Sequence, residues 1–290
     1  MPPRRLALLT HPGAGRGRGA RVREVVLSRL RRAGFDVLDL VGADVDEARD
    51  LARTACAADV ETLVALGGDG TVHLALQQAV PAGVTLAVVP AGTGNDLARE
   101  LGIPADPVAA ADRVVAGRTR EIDVLQVGDR YVATVLACGF DALVAERADA
   151  MAWPRGRSRY VAAVAAELRA LAPRRYTLEL DGTVREVDGV LAAVGNTASF
   201  GGGLRITEGA EPDDGLLDVV VIRTLGRREL VRAFPRLYRG THTDHRAYEH
   251  HRARSVTVAA RGITAYGDGE PLGRLPLTIS ALPRAVKVVV

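Results

Sequence analysis

Lysine is almost missing from this sequence. Its 290 residues hold one, Lys287, so the 38 basic side chains are otherwise arginine, against 35 acidic ones and a net charge of +3. A Walker-type phosphate loop needs a lysine directly behind its glycines, and a protein kinase needs one on an early strand. Lys287 stands in AVKVVV with no glycine loop before it. Both mechanisms are therefore excluded, and Schiff-base chemistry with them. Aromatic residues are also scarce, at 4 %. That leaves few platforms for stacking nucleic-acid bases, and no nucleic-acid partner is expected. The two cysteines, Cys56 and Cys138, sit among small apolar residues and read as free buried thiols, not as a disulfide. No apolar run approaches the roughly 20 residues of a membrane span. The stretch Leu6–Leu9 is short and runs straight into a glycine turn, unlike a signal peptide. A soluble, cytoplasmic protein is expected.

Hydrophobic residues make up 48 %, enough for a sizeable core. Up to about residue 120 the pattern alternates. RRLALLT, FDVLDLV, TLVALG and TLAVVP read as strands, and ARVREVVLSRLRRAG, VDEARDLARTACA, TVHLALQQAV and PVAAADRVVAG as helices. Val22, Val25, Val26 and Leu30 fall on one face of the first helix. Such alternation predicts a parallel sheet with helices on both faces. After about residue 123 the texture becomes mostly antiparallel. Strand pairs turn at Gly128–Asp129 and at Asp181–Gly182, further strands are VLAAVGN, LLDVVVI, SVTVAA, LPLTIS and AVKVVV, and helices interrupt them near 158–172 and 227–238.

Two strand ends carry glycine turns of one layout. Leu66 runs into Gly67, Gly68, Asp69, Gly70 and Thr71, and Pro90 into Ala91, Gly92, Thr93, Gly94, Asn95 and Asp96. In a parallel sheet, ligands bind where strands end and helices begin. Glycine admits a ligand close to the main chain, and helix N-terminal amides attract phosphate. Asp69 would repel that phosphate unless a cation or a proton-transfer role intervened. A third turn, HPGAGRGRG, follows the first strand. It lacks the dinucleotide-binding glycine spacing, and the arginines from Arg4 to Arg32 read either as a solvated helix face or as a field that draws anionic nucleotide and membrane surface. His242, His245, His250 and His251 have no zinc-site spacing and are expected to be solvated. MAWPRGRSRYVAAVAAELRALAPRR places Val161, Val164, Leu168 and Leu171 at helical spacing between arginines, behind Trp153. This suits either an interfacial helix or one packed on its own domain.

In GGDGT (67–71), PAGTGND (90–96), HPGAGRG (11–17), VGNTASFGGGLRI (194–206), PDDGLLDVVVI (212–222) and YGDGEPLG (266–273), the sequence resembles the diacylglycerol kinase-like lipid kinases of the small soluble bacterial branch. The resemblance implies an α/β nucleotide domain, residues 1–123 completed by 281–290, and a β-sandwich lipid domain, 124–280, with the active cleft between them. It implies ATP and Mg²⁺ as cofactors. The nucleotide would lie on His11, Pro12, Gly13, Ala14, Gly15, Gly67, Gly68, Asp69, Gly70, Thr71, Val72, His73 and Thr93. Glu270 matches the family's proton acceptor. Asp214, with the carbonyls of Glu211 and Leu216, matches its structural Mg²⁺ site. Asp69 is assigned to the catalytic Mg²⁺, and Asp96 to orienting Glu270 or a water. His11 replaces the usual asparagine, and Val41 stands where the family tends to have a threonine. The expected activity is transfer of a γ-phosphate to the hydroxyl of a lipid such as diacylglycerol, presented at a membrane surface. The alternatives are a non-catalytic lipid or nucleotide sensor of the same fold and a soluble-metabolite kinase such as an NAD kinase. The oligomeric state stays open, a homodimer included.

Overall fold

A computed structural model describes residues 4–10, 19–151, 153, 162–163, 166–167, 170 and 172–290. The first glycine turn, with His11, Pro12, Gly13, Ala14 and Gly15, lies outside the described residues, as does most of the helix expected at 158–172. The chain divides into two units, Met1–Val124 with Pro212–Asp214 and Leu282–Val290, and Leu125–Glu211 with Gly215–Ala281.

In the first unit β1 (Arg5–Thr10), β2 (Asp36–Val41), β3 (Thr62–Gly67) and β4 (Thr85–Pro90) form a parallel sheet in the order β2–β1–β3–β4. β3 is buried along its whole length, as a strand covered on both faces must be. α1 (Gly19–Arg32) packs on α5 (Pro107–Ala116), and α2 (Val45–Ala57) on α3 (Asp69–Ala82). The sequence order steps from β1 outward to β2 and then back past β1 to β3. Right-handed crossovers therefore put α1 and α2 on opposite faces, and the reversal falls between β1 and β3. In α1 the buried residues are Val26, Leu27 and Leu30, while Val25 is exposed. The expected face was rotated by one position: Leu27 and Val25 lie on opposite sides of the helix, and the sheet takes Leu27.

The second unit is antiparallel around β9 (Thr183–Gly195), which pairs with β7 (Val135–Gly139), β8 (Arg174–Leu180) and β10 (Leu217–Arg223). Side chains alternate across a strand, and β9 uses both faces. Ala192 and Val194 enter one apolar layer with Leu136, Tyr176, Val219 and Val256. Leu191 and Ala193 enter another with Val135, Ile206 and Val220. The sequence suggested two strands here, because Val184–Asp188 is largely polar and Val190–Val194 is apolar. One strand does both, since only its second half lies between two apolar layers. α6 (Phe140–Ala150) was not anticipated, its apolar residues being spread around the helix. β11 (Tyr248–Ala253), which pairs with β10, was also missed. α7 (Arg227–Arg239) falls where a helix was expected. Neither cysteine forms a disulfide; Cys138 is buried and Cys56 half-buried.

The histidines are not uniformly solvated. His250 Nε2 lies 2.6 Å from Asp218 Oδ1, and His251 Nε2 2.9 Å from Glu249 Oε1. His242 is 3 % exposed, with its ring edge-on to Tyr248. Burial lowers its pKa below the ordinary 6.5. Below pH 6.5 the unfolded chain takes up a proton that the native state resists. Stability is therefore retained above that pH and lost beneath it, with a slope of at most about 1.4 kcal/mol per pH unit. Urea unfolding at pH 7.5 and 5.5 should show the midpoint dropping at the lower pH, and dropping less in His242→Gln. Equal drops in the two proteins would assign the effect to other groups.

Candidate active site

The carboxyl ends of β3 and β4 are neighbours, with Gly67 opposite Pro90. Thr10, from which the first glycine turn departs, is opposite Leu66. The two described loops touch backbone to backbone. A Cβ on Gly92 would sit 2.5 Å from Gly68 Cα, so no side chain fits there. The Ala91 amide donates to the Gly67 carbonyl at 2.8 Å. Asp69 joins the loops: its Oδ2 accepts the Asn95 amide at 2.9 Å and its Oδ1 the Asp96 amide at 2.7 Å. Asn95, at φ +54°, closes its own loop through both side-chain atoms, accepting from the Gly92 amide and donating to the Gly92 carbonyl. α3 begins at N-cap Gly68 without a side-chain cap. Its first-turn amides and the helix dipole therefore suit an anion at that end. Thr93 is exposed beside it.

Several expected roles change on this geometry. Both oxygens of Asp69 already serve the second loop, so its first task is to hold the two loops together. Asp96 is buried and paired with Arg99, whose Nη1 donates to Asp96 Oδ1 at 2.8 Å and whose Nη2 donates to the Gly94 carbonyl at 2.7 Å. It is an internal support of the loop, not a free carboxylate waiting for Glu270 or a water. Val72 and His73 are buried within α3 and offer no side chain to a nucleotide. Gly67 ends β3, Gly68 is the N-cap of α3, and Gly70 and Thr71 lie in its first turn. Val41 ends β2, exposed and opposite Thr10.

Glu270 opens β14 (Glu270–Arg274) and is exposed. It follows a tight turn from β13 (Thr264–Gly267) in which Asp268 and Gly269 both have positive φ, +51° and +88°, the conformation of a two-residue hairpin turn. Asp268 was not singled out in the sequence, yet it anchors this turn. Its carboxylate accepts the Ala133 and Thr134 amides at 2.9 and 3.0 Å and the Thr134 hydroxyl at 2.6 Å. A legible signal was there: an aspartate between two glycines in a hairpin turn has a short acceptor with nowhere local to use it.

Glu211, Asp214 and Leu216 lie on the turn before β10, with Gly215 at φ +77°. Asp213 pairs with Arg120, and Asp218 is buried against His250, so the neighbouring aspartates are already committed. Among the described residues, no group of three His, Cys, Asp or Glu side chains gathers as a metal site. One carboxylate with two carbonyl oxygens is nevertheless a donor set suited to a hard cation.

The second unit also contains an apolar cavity of about 60 Å³ that opens to solvent. Phe140, Val144 and Leu191 line it, with Phe200 and Leu204 from the loop and Leu230, Phe234 and Leu237 from α7. Gly201, Gly202 and Gly203 all have positive φ. They make the reversal that brings Phe200 and Leu204 together, so the triple glycine shapes the wall of a greasy pocket.

Gly92→Ala should push the two loops apart and weaken any binding of ATP at least tenfold, as read by calorimetry, with the fold retained by circular dichroism. Asp69→Ala removes two charge-assisted hydrogen bonds and should cost about 3 kcal/mol in urea unfolding. Asp268→Ala should leave ATP affinity within twofold of the parent while lowering any phosphotransfer rate at least tenfold. Unchanged transfer would show that the turn does not position a reacting group.

Two family models together match almost all of the chain. The diacylglycerol kinase catalytic domain covers residues 5–127, and the YegS C-terminal NAD kinase beta sandwich-like domain covers residues 134–290. A diacylglycerol kinase of Mycobacterium tuberculosis (strain H37Rv) is 42 % identical over 291 residues, spanning 98 % of this chain and 94 % of its own length. That of Bacillus subtilis (strain 168) is 28 % identical over 291 residues, spanning 99 % and 96 %. A crystal structure of a diacylglycerol kinase from Bacillus anthracis str. Sterne shares the fold with a TM-score of 0.77 at 21 % identity, covering 99 % of this chain and 96 % of that one. With both halves matched and a relative at 42 % identity along nearly its whole length, the chain belongs to the diacylglycerol kinase-like family of bacterial lipid kinases.

Proposed function

We propose that this chain is an ATP- and Mg²⁺-dependent kinase that transfers a γ-phosphoryl group to the hydroxyl of diacylglycerol or a closely related lipid. The observation that carries this is the Asp69 clasp, which holds two glycine-rich loops at adjacent parallel strand ends beside the uncapped start of α3. With one lysine in the sequence, phosphate binding has to rest on backbone amides, arginine and metal. Thr93 supplies an exposed hydroxyl to the same edge. The 211–216 turn, through the Asp214 carboxylate and the Glu211 and Leu216 carbonyls, is the proposed seat of a structural Mg²⁺. A nucleotide-bound Mg²⁺ would neutralise charge on the transferring phosphoryl group.

Glu270 is the proposed base. Its carboxylate takes the hydroxyl proton as the lipid oxygen bonds to the γ-phosphorus and the bridging bond to the β-phosphate breaks, ADP leaving. Asp268 holds the backbone from which Glu270 projects. The apolar cavity of the second unit supports a lipid acceptor over a polar metabolite.

Purified protein given radiolabelled ATP, Mg²⁺ and diacylglycerol in mixed micelles should yield labelled phospholipid. Glu270→Gln should lower the rate about 10²–10⁴-fold with ATP affinity unchanged. Nucleotide binding without any transfer across a panel of lipid hydroxyls would overturn the kinase in favour of a sensor. Phosphorylation of NAD in the absence of lipid would overturn the substrate class.

A further inference from the structure

The helix α7 (Arg227–Arg239) combines features that its own stability does not require. None of its 13 residues is fully buried. Leu230, Phe234 and Leu237 line the apolar cavity and attach the helix to its unit. On the far side, Arg228, Arg232 and Arg239 fall within an arc of about 40° at 3.6 residues per turn, and all three are exposed. Among the described residues, neither they nor Arg227 have an acidic partner, whereas Arg236 pairs with Asp244, and Arg246 pairs with Glu229. Arg227 and Arg228 stand in the first turn, where the positive end of the helix dipole opposes a cation. Val231 and Tyr238 are 53 % and 49 % exposed. Seven residues apart, they share one side of the helix, between the arginine face and the cavity-lining face.

We propose that α7 is the element by which this chain docks on an anionic phospholipid surface, its arginine face on the headgroups and Val231 and Tyr238 at their boundary with the acyl region. The proposal rests on the lipid-kinase reading above and names the surface at which that substrate is met. A row of unpaired arginines meets a sheet of phosphates by charge complementarity, each cation near an anionic leaflet strengthening binding severalfold. The two exposed apolar side chains distinguish a membrane from an acidic protein or a nucleic acid, since a tyrosine beside a basic face belongs at the headgroup level. The cavity behind the same helix gives the docking a purpose. The element that touches the bilayer is also a wall of the apolar pocket, so a lipid leaving the leaflet meets greasy surface at once. This role differs from the one expected of the arginine-flanked stretch around 155–175. Trp153, just before that stretch, is 81 % exposed.

Vesicle sedimentation with the full chain tests the assignment. The protein should pellet with vesicles containing 30 mol % phosphatidylglycerol in about 100 mM salt, and not with pure phosphatidylcholine vesicles. The partition coefficient should fall steeply as salt is raised. Arg228→Gln with Arg232→Gln and Arg239→Gln should weaken it about a hundredfold, near fivefold for each charge. Tyr238→Ala alone should weaken it severalfold. A control with the same change in net charge elsewhere, Arg31→Gln with Arg49→Gln and Arg53→Gln on α1 and α2, should stay within twofold of the parent. Phosphotransfer to a dispersed short-chain diacylglycerol should be unchanged in the α7 triple variant, while transfer to long-chain diacylglycerol in anionic vesicles falls with the partition coefficient. An α7 triple variant that binds as well as the parent, a control that binds as poorly as the triple variant, or equal binding to neutral and anionic vesicles would each overturn the docking role. Absence of transfer to the dispersed lipid in parent and variants alike would sink the kinase reading instead and leave the sedimentation result to stand by itself.

Discussion

A single carboxylate organises the carboxyl ends of the parallel strands in the first unit. Asp69 starts α3 and accepts the amides of Asn95 and Asp96 from the next loop. An ionised acceptor facing two backbone donors makes the strong kind of hydrogen bond. Here it joins two segments 26 and 27 residues apart in sequence. Without it, loops built largely of glycine would hold several conformations, because glycine gives up more backbone freedom than any other residue on becoming ordered. The negative charge is compatible with a phosphate site nearby because it is already satisfied by donors. Its neighbour Asp96 is neutralised instead by the Arg99 guanidinium.

This arrangement answers a shortage. With one lysine in the whole chain, the protein cannot place an ammonium in a phosphate loop. Backbone amides are donors that every residue but proline supplies, and glycines at Gly67, Gly68 and Gly92 leave the backbone there bare of side chains. Aspartate recurs as the fastener in the second unit, where Asp268 holds the turn before Glu270 through the Ala133 and Thr134 amides and the Thr134 hydroxyl. In both units a carboxylate is engaged in shaping backbone, while Glu270, the proposed base, is exposed.

The second unit meets a different demand. β9 carries apolar side chains on both faces, one toward the main core and one toward the layer under α7. The second layer is incompletely filled, and the remaining space is the cavity. A tightly packed second layer would be more stable, since each apolar side chain fully buried contributes roughly 1.5–3 kcal/mol. Leaving it open fits an acceptor with an apolar tail.

Much of this was legible beforehand. The strands and helices of the first unit followed from apolar periodicity, because a parallel sheet covered on both faces leaves long apolar runs and short, glycine-marked turns. Residue order alone also supplied the glycine loops and the Asp-Gly-Glu turn. What sequence did not reveal is where carboxylates and imidazoles point. Asp69, Asp96 and Asp268 looked like free chemistry or turn filler; Asp69 and Asp268 are committed to partners that other strands bring near, and Asp96 to Arg99 three residues on. His242 looked solvated and is buried, since its surroundings come from Ile206 and Tyr248. The orientation of α1 shifted from Val25 to Leu27 for a similar reason, as periodicity names a stripe and only the sheet selects its centre. Local pattern thus determined the elements, their order and the loop chemistry, all governed by near neighbours in the chain. Tertiary structure alone decided which polar groups remain available, because that depends on donors and acceptors tens to more than a hundred residues away.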